Sequence, residues 1–187
     1  GIMKNEIIIF ENQNVKLEVN MKDETVWLTV EQMAELFGRD STTIRKHINK
    51  ILEEELDKHL DYDFAMDWDK KNHAVEVTFI LEAQNSSNVE TIDDKGEVSD
   101  EDVIFEDYVL FYNPEKSRFD EEDYLVTIPY EPKKGLSREF LAYFAETLNE
   151  VATEGLSDLM DFLSDDGPEE FGLVWDKDAF EKGKAQL

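Results

Sequence analysis

The sequence contains no cysteine, and its 187 residues include only 4 prolines, 8 glycines and 3 histidines. Without cysteine there are no disulfides and no thiolate–metal sites, which fits a reducing, cytoplasmic setting. His47, His59 and His73 are scattered with no HExxH spacing, so a zinc centre has no ligand set. Apolar runs such as Ile7–Phe10 are far too short for a signal or a membrane span, and no membrane association is expected. The sequence has no glycine-rich phosphate loop, nucleophile elbow or dinucleotide turn. The expectation is a protein that is not an enzyme and uses no cofactor.

Positive charge is also scarce. Nineteen Lys/Arg stand against 46 Asp/Glu, a formal net charge of −27. Residues 1–58 are only mildly acidic, and nearly all of the excess falls on residues 59–187. Such a field repels nucleic acid and anionic membranes and favours cationic partners. The acidic stretches do not spell a calcium loop: with Gly96 or Gly167 at the glycine position, position one falls on Thr91 or Phe162. An irregular cation site at Asp93, Asp94, Asp100, Glu101 and Asp102 is the weaker alternative to a solvated acidic loop. Against this charge, 41% hydrophobic content with 12 Phe, 6 Tyr and 3 Trp suffices for a core. Gly1-Ile2 ahead of Met3 reads as an addition before a natural start.

Trp27–Leu60 organises the front of the chain. Ile7–Phe10, then Val15, Leu17 and Val19, then Val26 and Leu28 read as three short strands. A short helix is expected from Val30 to Phe37, with Thr29 and Gln32 as a capping box. Gly38 suits a tight turn, and a long helix begins near Ser41, capped by Asp40 or Ser41. Ile44, Ile48, Ile51 and Leu52 share one face of that helix, which continues through Leu56 to Leu60. If this is a helix-turn-helix, its second helix enters the major groove. Thr42, Thr43, Arg45, Lys46, Asn49 and Lys50 then lie on the outer face, with Arg39 beside them. These types suit base edges and phosphates. An ordinary helical hairpin with a solvated face fits the pattern equally well.

Behind the helix the period changes. Phe64, Met66 and Trp68 alternate with Ala65, Asp67 and Asp69, Lys70-Lys71-Asn72 turns the chain, and Val75, Val77, Phe79 and Leu81 return. His73 beside the turn is expected to be exposed. Gln84–Glu101 reads as a mobile loop, and Val103–Tyr112 and Tyr124–Tyr130 as further strands. A helix from Ser137 to about Thr153 carries Phe140, Leu141, Phe144, Leu148 and Val151, with Gly155 as its stop and a second short helix over Leu156–Leu163. Phe171–Trp175 suggests a last strand, after which Asp176 caps a terminal helix carrying Phe180. Trp68, Phe79, Phe111, Phe140 and Phe144 are expected in the core. Strands followed by helices argue an α+β fold with an antiparallel sheet.

Residues from Asn5 to about Leu56, above all ETVWLTVEQMAELFGRDSTTIRKHINKIL, resemble the N-terminal segment of the RhuM-like virulence-associated family. That likeness implies a helix-turn-helix and a DNA-binding role for residues 3–56, with Arg39, Thr42, Thr43, Arg45, Lys46, Asn49 and Lys50 as the contact residues. The remainder, 57–187, resembles an uncharacterised acidic family of lactic-acid bacteria and relatives, through DYDFAMDWDKKNHAVEVTFILEAQ, the segment from EDYVLFYNPEK to ETLNEV, and FGLVWDKDAFEKG. The chain therefore reads as a fusion, natural or artificial, joined inside the long helix. Two functions follow from this reading. In one, the front binds double-stranded DNA, with a homodimer on two half-sites as the arrangement that would hold the acidic domain off the duplex. In the other, the acidic domain binds a basic protein partner, by analogy with small secretion-chaperone-like folds or, more narrowly, as a nucleic-acid mimic.

Overall fold

A computed structural model describes residues 41–187 and the backbone of two strands nearer the N-terminus, with side chains described from Thr43 onward. Those two strands, β1 (Ile7–Asn12) and β2 (Val15–Asn20), pair antiparallel with Ile7 opposite Asn20 and Asn12 opposite Val15. The expected third strand, first helix, Gly38 turn and caps, together with Arg39, lie outside the described residues.

The long helix α1 spans Ser41–His59. It buries Ile44, Ile48, Leu52 and Leu56, the stripe that the spacing announces. Next come β3 (Phe64–Asp69), β4 (Ala74–Ala83), a small hairpin of β5 (Thr91–Ile92) and β6 (Val98–Ser99), β7 (Val103–Tyr112) and β8 (Val126–Pro129). Helices α2 (Arg138–Phe162) and α3 (Lys177–Lys184) close the chain. The main sheet has the order β3-β4-β7-β8. The fold is α+β with a mostly antiparallel sheet.

Alternation places each residue on a face. Phe64, Met66 and Trp68 of β3 sit beside Phe79, Val77 and Val75 of β4, and Val77 and Val75 beside Val109 and Phe111 of β7. This face meets α1 and α2 in one core with Leu52, Leu56, Leu141, Phe144 and Leu148. Phe111 and Phe144 meet edge to face across it, with ring centres 5.0 Å apart. Phe79, Phe111, Phe140 and Phe144 are buried as expected, and Trp68 packs half-buried against them. α1 and α2 run side by side in the same direction. Arg138 pairs with Glu54 at 2.6 Å, His59 lies 3.8 Å from Glu146, and the Asp61 amide donates to Asn149 at 2.9 Å.

Several expectations need correction. First, β8 runs parallel to β7, not antiparallel. A parallel return needs a crossover of about a dozen residues, and 113–125 supplies it with a short 3₁₀ turn at Glu121–Asp123. Second, the stretch from Gln84 is organised rather than loose. Buried Asn85 donates to the carbonyls of Val89, Asp100 and Glu101 and accepts from the Val89 amide, closing the loop that holds the β5–β6 hairpin. Third, Gly155 does not stop α2. It lies buried within the helix, where an added Cβ would fall 2.1 Å from Leu173 Cδ2, so its use is close approach. Fourth, Phe171–Trp175 forms no strand. Phe171, Leu173 and Trp175 still alternate inward, and Phe171 meets Phe105 edge to face at 4.9 Å. Asp176 caps α3 as expected, accepting from the Ala179 amide at 3.0 Å.

The most consequential correction concerns Arg45. Expected on the outer face of the helix, it is 1% exposed. It sits one position after Ile44, inside the width that a core-facing helix stripe covers. Its guanidinium reaches His73 Nδ1 at 3.0 Å and lies 5.9 Å from the centre of the Trp68 ring. Arg45→Ala is therefore expected to destabilise the fold by about 2–4 kcal/mol, whereas Lys46→Ala should stay within about 0.5 kcal/mol. Urea unfolding of the two variants checks this, and equal midpoints would contradict the burial.

Candidate functional site

Three features bear on function, and each follows from how the turns and faces are placed. The first is a buried polar knot under the N-terminal end of α1. A guanidinium has no acceptor, so His73 Nδ1 accepts from Arg45 and the ring proton sits on Nε2. His73 adopts a left-handed backbone (φ 55°), and its carbonyl accepts from Tyr130 Oη at 2.8 Å and Ser117 Oγ at 3.0 Å. Burial, then the charges of Arg45 and Lys116, hold the His73 pKa below its usual value. Burial likewise raises that of Tyr130. His73 is thus half-buried and structural rather than exposed. Sequence reasoning placed Tyr130 at the end of a strand but gave it no part in this knot, because its hydroxyl meets a carbonyl 57 residues away.

This knot gathers cations at one end of the molecule. The hairpin turn carries Lys70 and Lys71, and reciprocal bonds between Asn72 and Arg118 tie it to the turn bearing Lys116 and Arg118. Tyr130, packed on Ile44 and Ile48, leads into the turn bearing Lys133 and Lys134. Lys46 and Lys50 are exposed on the same stretch of α1, and their charges, after burial, lower the pKa of His47. Thr43 and Asn49 are half-buried, and the side chain of Thr42 lies outside the described residues.

The second feature is the sheet face turned away from the helices. Its β8 side is covered: Leu110 is buried there, and Tyr112, Phe119 and Tyr124 pack ring to ring, with centres 4.6 and 6.1 Å apart. On the β3–β4 side it presents Asp67, Glu76, Thr78, Ile80, Glu82 and Glu106, all half-buried or exposed, with Ile104 68% exposed. Asp67 and Glu76 are direct cross-strand partners. Burial, then the charges of Asp67 and Asp69, raise the Glu76 pKa. Burial also raises that of Tyr108, together with the Glu106 carboxylate that its hydroxyl meets at 3.2 Å. Among the described residues none of these carboxylates has an ion-pair partner.

The third feature is a groove of about 610 Å³ between α1 and β3. Asn49, Glu53 and Asp57, four residues apart on one helical stripe, form one wall. Asp61, Asp63 and the strand from Phe64 to Met66 form the other. Asn49, expected to read bases, lines this acidic groove, while its helix neighbours Lys46 and Lys50 are exposed. Two of the five loop carboxylates considered for a cation are otherwise engaged: Asp93 accepts from the amides of Lys95 and Glu97, and Asp102 from that of Asn85. Among the described residues no three His, Cys, Asp or Glu are placed to hold a metal ion.

With this geometry in place, comparison with known proteins adds a family. Residues 43–187 match the family described as protein of unknown function, DUF3013. The chain belongs to that family. The matched span begins at Thr43, inside α1, so Thr43, Arg45, Lys46, Asn49 and Lys50 all fall within the DUF3013 portion. A similar solved structure is the crystal structure of a conserved protein of unknown function from Enterococcus faecalis. It is 48% identical, covers 73% of this chain and 85% of its own, and superposes with a TM-score of 0.66. No match to a curated protein is found. Among the described residues no helix is long and apolar enough to cross a membrane.

Like charges directly opposite on neighbouring strands are destabilising. The raised Glu76 pKa means the folded DUF3013 chain holds that proton more tightly than the unfolded one does. The penalty is therefore full above the folded value and gone below the unfolded value. Glu76→Gln should stabilise the protein at neutral pH by about 0.2–1 kcal/mol. The gain should vanish as pH falls below about 4, where an unperturbed glutamate is protonated. Paired thermal melts of variant and parent at several pH values check this, and a gain independent of pH would contradict it.

Proposed function

We propose that this DUF3013 chain is a non-catalytic binding protein whose bare acidic sheet face takes a basic protein or peptide. The observation that carries the proposal is the face itself. Its carboxylates include two placed directly opposite each other, without the cations that would make them structural. A fold that only needed solubility could spread these charges, since surface charge serves solubility wherever it sits. Concentrating them on a pleated surface costs stability and creates a field that a cationic partner relieves. Such association should weaken as salt rises, because the partner's charges are screened within about 8 Å at physiological ionic strength.

A second reading is favoured by the cationic end around Lys46, Lys70, Lys71, Lys116, Arg118, Lys133 and Lys134. There the front of the chain would contact duplex DNA, as the RhuM-like likeness of residues 5–56 suggests. In that reading Arg45 is a positioning residue within the fold, and Lys46 and Lys50, with Arg39, Thr42 and Thr43, carry the contacts. The acidic faces of the same chain oppose this reading electrostatically.

One titration separates the two. A fluorescent lysine-rich peptide and a random DNA duplex are each titrated with the whole chain at low and at physiological salt. Saturable peptide binding is expected, with Asp67→Asn/Glu76→Gln raising Kd about tenfold, a loss of about 1.4 kcal/mol. Binding of the duplex alone, abolished by Lys46→Ala/Lys50→Ala, would reverse the order of the two readings.

A further inference from the structure

We infer that the basic partner docks as an extended strand on the free edge of β3, seated in the groove against α1. This rests on the reading that the acidic domain binds a basic protein or peptide, and adds how and where. Among the described residues β3 is the terminal strand of its sheet and pairs with β4 alone. The Ile80 amide donates to the Asp63 carbonyl directly opposite. In an antiparallel pair such residues alternate with ones whose polar groups point away. The amides and carbonyls of Phe64, Met66 and Trp68 therefore face outward. Among the described residues no backbone group pairs with them.

An edge six residues long is an invitation to another strand, and natural sheets blunt such edges. The opposite edge shows how: β8 has four residues and ends in Pro129. β3 has no proline and no bulge in its register. Its protection is negative charge alone, from Glu53 and Asp57 on the helix side and from Asp63 and Asp67 on the other. Among the described residues the carboxylates of Glu53, Asp57 and Asp63 have no hydrogen-bond or ion-pair partner. Negative charge on both sides repels a second copy of a chain at −27 and admits a cationic strand. The occupant is thus a lysine- or arginine-rich extended segment of a partner protein, added by strand pairing. Its side chains would alternate between the two sides. Those toward α1 lay their apolar stems over half-buried Phe64 and Met66 and carry their charges to Glu53 and Asp57.

The test uses the whole chain with two probes of equal charge: a hexalysine peptide and the same peptide N-methylated at every backbone amide, which has no donor for the ladder in either register. The unmethylated peptide should bind at least about tenfold more tightly, the factor that about 1.4 kcal/mol supplies. Met66→Pro, which removes one outward amide at an edge position where proline is tolerated, should erase the difference, whereas Met66→Leu should keep it. Far-ultraviolet circular dichroism checks the fold of both. If Met66→Pro does not fold, amide exchange in the parent decides: peptide should slow exchange at Phe64, Met66 and Trp68. Equal affinity of the two peptides, or unchanged exchange at those amides, overturns strand addition while leaving the charge-based reading standing. If neither peptide binds, both fail.

Discussion

A four-stranded sheet has two faces, and the described helices cover one of them. α1 and α2 lie side by side over the face built from Val75, Val77, Phe79, Val109 and Phe111, joined to each other at Glu54–Arg138, with Asp61 just beyond α1 bonded to Asn149 of α2. The crossover 113–125 then shelters the β8 side of the reverse face, and among the described residues nothing comparable covers β3 and β4. A bare antiparallel face must be polar to stay in water. This one is polar and almost entirely of one sign. The open face, the unpaired edge and the acidic groove are thus consequences of one arrangement, a sheet covered once and closed at one edge only.

Charge divides along the same axis. Where turns converge beneath the N-terminal end of α1, buried Arg45 on the His73 ring, and Ser117 and Tyr130 on the His73 carbonyl, draw three lysine-bearing turns together. At the β3 edge, carboxylates from helix and strand face a shared groove. Lysines thus cluster in turns at one end of the molecule, among Asp69, Glu115 and Glu131, while the groove along β3 is lined by carboxylates without lysines. Long-range steering of a partner depends on that distribution more than on the total. The stability lost where Asp67 meets Glu76 is the kind of local cost that binding surfaces carry and cores do not.

The sequence made the covered face legible because period carries that information. Alternation in Phe64–Asp69 and Ala74–Ala83, and the helical spacing of Ile44, Ile48, Leu52 and Leu56, survive in the structure residue by residue. What period cannot carry was missed. Arg45 reads as an outward cation because its type outweighs its position, though a broad helix stripe includes the residue beside Ile44. Gly155 reads as a stop because the space over it is filled by Leu173, a residue distant in sequence. Asn85 reads as loop because its four bonds close a turn visible only once the loop has folded. The direction of β8 depends on the crossover, whose sequence announces its length but not its course. The bare face was visible only as acidic residues alternating with apolar ones, the signature of any solvated strand.

The claim on which the rest stands is that the β3–β4 side of the molecule is its binding surface. Amide chemical-shift mapping of the whole chain, titrated with a lysine-rich peptide, tests it most directly. The account predicts shifts concentrated on β3, β4 and the Asn49–Glu53–Asp57 stripe of α1, with the turns at Lys70, Lys116 and Lys133 unmoved. Shifts confined to those turns, or spread thinly over every acidic residue, would contradict it.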